Sequence, residues 1–278
     1  MSVLLFTILL GVGSLAAGLL GALTGLGGGV VIVPLLVLVF GVDLPDAVGT
    51  SLVAVIATSS GAAAAYVREG YSNIRIGMVL EVATTIGAVA GALLALVIAP
   101  GTISIIFGVV LLISAYLSAR QRPAEARPAQ SDRLANYLRL RGSFPTPEGP
   151  RHYHVVGVPL GFGLMWVAGV LSGLLGIGSG AFKVLAMDQV MKLPFKVSTT
   201  TSNFMIGVTA AASAGVYLNR GTIAPELALP VVLGVLAGSA VGTRILAAAR
   251  VRVLRIVFAV LVLAIAVEMI YKGICGGL

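Results

Sequence analysis

A glycine cluster, Gly25-Leu26-Gly27-Gly28-Gly29, lies inside strongly apolar sequence and returns in the second half of the chain as Gly176-Ile177-Gly178-Ser179-Gly180. In apolar surroundings such a cluster lets a helix break and leaves backbone N–H groups free to face something other than lipid. These two breaks constrain the fold, and the function is read from them.

Of 278 residues 58% are hydrophobic and only 10% charged, with a mean hydropathy of +1.08. That is too apolar for a soluble globular chain and too long for one or two spans, so a bilayer is expected. The formal charge of +8 comes largely from arginines in a few loops. It reports orientation in the membrane and gives no reason to expect a nucleic-acid partner. Cys275 is the single cysteine, so neither an internal disulfide nor a cysteine metal site is available. The apolar start, with no Lys or Arg ahead of it, reads as a retained first segment.

Apolar stretches run over 3–24, 30–40, 47–66, 76–99 and 103–117, and again over 155–175, 181–191, 197–218, 227–247 and 253–270. Four in each half approach the roughly 20 residues that a helix needs to cross a bilayer. The second of each half is much shorter and follows a glycine cluster directly. Gly18, Gly25, Gly27 and Gly29 fall at the same offset from Gly169, Gly176, Gly178 and Gly180, and Leu44-Pro45 answers Leu193-Pro194. This is an internal duplication. It divides the chain into a first repeat (1–119), a linker (120–154) and a second repeat (155–278).

The linker holds seven arginines, which places it in the cytoplasm. If each short segment covers only part of the path, each repeat has five segments and the second copy is inverted. The basic loops at 68–75, 192–196 and 250–255 then share the linker's side, and the acidic loop at 42–46 faces the other. A parallel second copy with re-entrant short segments would put Arg250, Arg252 and Arg255 outside, so the preferred fold is an all-α polytopic membrane protein of two inverted repeats, each with a half helix after its glycine cluster. Inversion brings the N-termini of the two half helices towards each other near the bilayer centre. Helix N-termini carry unpaired N–H donors and partial positive charge, so this meeting point suits an anion.

Candidate substrate-binding residues follow from that placement. They are Gly25, Gly27, Gly28 and Gly29 of the first cluster and Gly178, Ser179 and Gly180 of the second. Lys183, one turn into the second short segment, is a candidate counter-charge, because lysine at membrane depth is expensive and usually faces a cavity or partner. The bland alternative is that it snorkels to an interface or pairs with Asp188. Thr201, Ser202 and Asn203, with Thr58 and Ser59 as the looser counterpart in the first copy, can donate to anion oxygens without burying a full charge. Equally, hydroxyls and small residues mediate helix packing in lipid. Glu81, Asp188, Glu226 and Glu268 are available to bind a coupling proton or sodium ion, although most are expected near interfaces.

An enzyme is not expected, and neither a catalytic residue nor a cofactor is assigned. His152 and His154 are the only histidines, both lie in the linker, and two ligands are too few for a metal centre. Within the linker, Leu134, Tyr137 and Leu138 share a helical face that can lie on a membrane surface, though a solvated connector explains it as well. The segment 144–150 reads as irregular loop.

The motif Gly21-Ala-Leu-Thr-Gly-Leu-Gly-Gly-Gly29 with Pro34 and Val48-Gly-Thr-Ser51, and its second copy Ser172-Gly-Leu-Leu-Gly-Ile-Gly-Ser-Gly180 with Ser198-Thr-Thr-Thr-Ser-Asn203, resemble the TauE/SafE family of sulfite exporters. The resemblance covers nearly the whole chain except the linker. It implies transport of a small anionic sulfur compound, such as sulfite or an organosulfonate, across a bacterial plasma membrane. Membrane lipid is then the surrounding partner, and a homodimer is compatible with this reading. Ser179 stands where the first copy has Gly28, which implies an asymmetric site. Carriage of another anion or a metal cation, or a receptor or assembly role without transport, are the rival readings.

Overall fold

The computed structural model describes residues 3–24, 28–68, 70–120, 132–146, 149–248 and 251–275. Among them are eleven helices and one two-stranded sheet. The first half of the chain forms α1 (Val3–Thr24), α2 (Gly29–Pro34), α3 (Leu44–Arg68), α4 (Ile74–Leu94) and α5 (Pro100–Arg120). The linker forms α6 (Arg133–Tyr137), β1 (Gly142–Thr146) and β2 (Gly149–Tyr153). The second half forms α7 (Val158–Leu175), α8 (Gly180–Leu185), α9 (Phe195–Asn219), α10 (Pro225–Ala248) and α11 (Val251–Cys275).

The two short segments share an unusual local form. Each begins as a six-residue α-helix and widens into one π-helical turn, over Leu35–Val39 after α2 and Ala186–Val190 after α8. Pro34 ends α2, and its missing N–H helps open the ladder there. Leu185 occupies the matching place without such help, so a π turn can form there without proline. π turns are rare and cluster at functional sites.

Packing exchanges elements between the two halves of the chain. α1 lies along α10 and α4 lies along α7, so the first helix of each half packs on the fourth helix of the other. The like-numbered pairs α3 with α9 and α5 with α11 complete the arrangement. The exchanged contacts are lined by matching glycines: a Cβ on Gly91 would collide with the Val170 carbonyl, and one on Gly238 with the Leu15 carbonyl. Lipid tails are as apolar as the helices, so close van der Waals approach between small residues replaces the hydrophobic effect as the adhesive.

Large apolar side chains cover the outer faces. Val12, Val97, Leu160, Leu229 and Val267 are all exposed, on a scale that a soluble monomer avoids. By length and composition α4 and α7 are long and apolar enough to cross a membrane, and α1, α5 and α10 contain shorter apolar stretches.

The linker departs from the expected loop. Residues Gly142–Thr146 and Gly149–Tyr153 form an antiparallel hairpin in which Pro145 faces Pro150, so two of the prolines that argued against regular structure sit opposite each other. The hairpin and α6 are docked, not free: Ala135, Leu140, Tyr153 and Val155 pack with Ile76, Leu80, Met187 and Met191. Leu134 and Tyr137 stay exposed. Asn73 ties this layer to the helices. Its Oδ1 caps α4 by accepting from Ile76 N at 3.1 Å, its Nδ2 donates to Tyr153 Oη at 2.7 Å, and its backbone N–H donates to Thr201 Oγ1 at 3.0 Å. Burial pushes the Tyr153 hydroxyl above its usual range, against the opposing effect of the Asn73 bond, so it stays protonated at neutral pH. Tyr153→Phe removes only that acceptor and should lower stability by about 1 kcal/mol, read as a small fall in thermal unfolding temperature.

Candidate functional site

Gly29 of the first cluster lies against Gly176 of the second. A Cβ on Gly29 would stand 2.8 Å from the Gly176 carbonyl oxygen and 2.9 Å from Ser51 Oγ. Ser51, from α3, donates to that same carbonyl at 2.8 Å. Val55, one turn further along α3, contacts both Gly29 and the position a Cβ on Gly178 would take. α3 therefore holds the start of α2 against the end of α7. Gly25 and Gly27 lie outside the described residues.

The copies differ in how they enter the short helix. Gly28 has ordinary right-handed backbone (φ −64°), whereas Gly176, Gly178 and Ser179 are left-handed, at φ +68°, +71° and +44°. Ser179 is a costly residue for that conformation. Its hydroxyl offsets part of the cost by donating to the Ala168 carbonyl at 2.6 Å, and its own carbonyl accepts from Phe182 N and Lys183 N to start α8. The side chain of Ser179 is thus engaged with α7.

Lys183 is fully buried. It neither snorkels nor meets Asp188; its Nζ donates to Thr209 Oγ1 of α9 at 2.6 Å. Thr209 Oγ1 stands a further 2.6 Å from Glu81 Oε1 of α4. The result is a buried acid and base from opposite halves of the chain, bridged by one hydroxyl. Asp188 instead accepts from Gln189 Nε2 at 2.6 Å, and Glu226 and Glu268 are exposed.

The remaining candidates are spread along α3 and α9. Ser202 donates to the Gly180 carbonyl at 3.3 Å and so touches the second cluster. Asn203 Nδ2 donates to the Thr199 carbonyl of its own helix at 3.2 Å, and Thr201 accepts from Asn73 at the docked linker. Thr58 and Ser59 bond back to carbonyls of α3, with Ser59 also against Gly207. Thr209 was not singled out from sequence. Thr201, Thr209, Ser213 and Tyr217 recur at four-residue multiples, and this stripe runs down the face of α9 that meets α4 and α7.

A helical bundle with an apolar exterior, glycine-mediated crossings and a buried acid–base pair defines a membrane protein rather than a soluble enzyme. The family model described as "Sulfite exporter TauE/SafE" matches residues 9–269, and the chain belongs to that family of membrane transporters. Its relatives carry matching names. "Probable membrane transporter protein YunE" of Bacillus subtilis is 29% identical over 277 residues, covering 97% of this chain and 98% of its own. A "Probable membrane transporter protein" of Xylella fastidiosa is 25% identical, covering 95% and 94%. "Probable membrane transporter protein YdhB" of Bacillus subtilis is 28% identical, covering 82% and 85%. No solved structure matches the chain.

Proposed function

We propose that this transporter moves small sulfur-containing oxyanions, sulfite or an organosulfonate, out of a bacterial cell across the plasma membrane by alternating access. The observation that carries the reading is Lys183. A fully buried ammonium has three N–H donors, and the hydrogen bond to Thr209, the one it makes among the described residues, engages one of them. A sulfonate or sulfite head offers three acceptor oxygens on one negative charge, enough to take both remaining donors and opposite to them in sign.

The surrounding elements fit that role. The glycine clusters at the starts of α2 and α8 let a ligand approach backbone N–H groups, with Ser202 and Asn203 one helix away. Two inverted repeats would rock against each other around this point, with the short helices as half helices meeting near the bilayer centre. The exchanged packing of α1 with α10 and α4 with α7 supports two mixed bundles as the moving bodies. A multi-pass arrangement with the basic linker in the cytoplasm follows from the charge of the loops.

Calorimetric titration of the purified transporter with sulfite, isethionate, sulfate and divalent metal ions tests the reading. Sulfite or isethionate should bind, and Asn203→Ala should weaken that binding several-fold without changing folded yield. Binding of a divalent metal in preference to every oxyanion would overturn it.

A further inference from the structure

Glu81 is buried in α4 with unequal oxygens. Oε1 accepts from Thr209 Oγ1 at 2.6 Å and from Thr85 Oγ1 at 3.3 Å, while Oε2 is buried with no partner among the described residues. An ionised carboxylate with one bare oxygen is poorly served, whereas a neutral acid tolerates a bare carbonyl oxygen far better. The hydroxyl of Thr209 has a single proton, yet it stands within bonding distance of Lys183 Nζ, Glu81 Oε1 and, at 2.9 Å, the Met205 carbonyl. With Glu81 ionised, Thr209 accepts from Lys183 and donates to Glu81. With Glu81 protonated on Oε1, the acid donates to Thr209, whose own proton turns to Met205. Both proton arrangements fit the same heavy-atom positions.

The charged groups around Glu81 are few. α7 contains no ionisable residue; α9 contains Lys196, near its start and seated over the Tyr71 ring at 3.6 Å, and Tyr217, two turns beyond Thr209, whose hydroxyl donates to the Gly173 carbonyl at 3.1 Å. From the α8 segment come Lys183 and, beyond it, Asp188, which bonds Gln189. Lys183 is the cation that faces the acid through Thr209.

We propose that Glu81 is the binding site for a coupling proton, taken up from water on the open side as an anion occupies Lys183 and released with it on the other. This rests on Lys183 being the anion's counter-charge. Empty, the pair is neutral; an anion added alone leaves one net negative charge in a lipid-bounded interior, and a proton on Glu81 cancels it. Both forms that reorient are then neutral. Linkage makes the effect reciprocal: bound anion favours the protonated acid, and the protonated acid releases Lys183 to the anion.

Isethionate is the probe, because its sulfonate stays ionised and cannot itself supply the pH dependence. Titrations of wild type in two buffers of different ionisation enthalpy give the number of protons taken up per anion bound. That number should approach one on the alkaline side, with affinity falling about tenfold per pH unit there. Glu81→Gln should take up none, with affinity flat in pH. Binding by wild type with no proton uptake overturns the coupling alone, and so does Glu81→Gln with wild-type uptake. Failure of isethionate and sulfite to bind wild type at all overturns the oxyanion reading and the coupling together.

Discussion

Lys183→Met is expected to lower stability by about 3–5 kcal/mol at neutral pH and to abolish anion binding. The side chain it replaces is completely enclosed, and the change leaves Glu81 in the interior with no cation opposite it. The stability deficit should shrink as pH falls, because a protonated Glu81 requires no counter-charge. Lys183→Met combined with Glu81→Gln removes both charges and should recover most of the lost stability at every pH, as replacement of whole buried pairs commonly does. Anion binding should stay absent in the double variant. Thermal unfolding in detergent across pH, paired with titration of isethionate, separates the two effects. A single variant as stable as wild type at neutral pH would show that the pair carries no energetic weight.

Gly91→Leu is expected to be comparably damaging for a different reason. The α4–α7 crossing brings the Val170 backbone to where a Cβ at position 91 would lie, so a side chain there must push two helices apart along their length. Overpacking against flexible side chains usually costs about 1–3 kcal/mol, and a collision with backbone offers no rotamer to relieve it. The folded, monodisperse fraction after purification should fall sharply. Gly163→Leu, in α7 but with nothing among the described residues within 4 Å of the added Cβ, is the matched control and should purify like wild type. Equal yields of the two variants would mean that the crossing does not depend on close backbone approach.

The short helices were legible in the sequence to within about one residue, because glycine clusters mark where they begin and a Leu-Pro pair marks the turn into the next helix. Lys183 stood out as a charge in apolar sequence, and Ser179 as a departure between copies. Its partner was not legible. Asp188 is close to Lys183 in sequence, whereas Glu81 and Thr209 reach it from α4 and α9. Hydrophobic pattern identifies helices but says nothing of which pairs will touch, so the exchange of α1 and α7 between repeats was hidden as well. The hairpin was missed because proline-rich sequence argues against strands unless the prolines fall opposite each other, and that register appears only on folding.

The exchange of α1 with α10 and of α4 with α7 bears on how the protein is made. When the ribosome has released the first half, α1 and α4 are complete but the helices that cover their glycine seams have yet to be synthesised. They must wait in the bilayer with those seams turned to lipid or to a chaperone. A single repeat expressed alone should accordingly fail to mature, while the two repeats produced as separate chains in one cell should find each other and reconstitute the transporter.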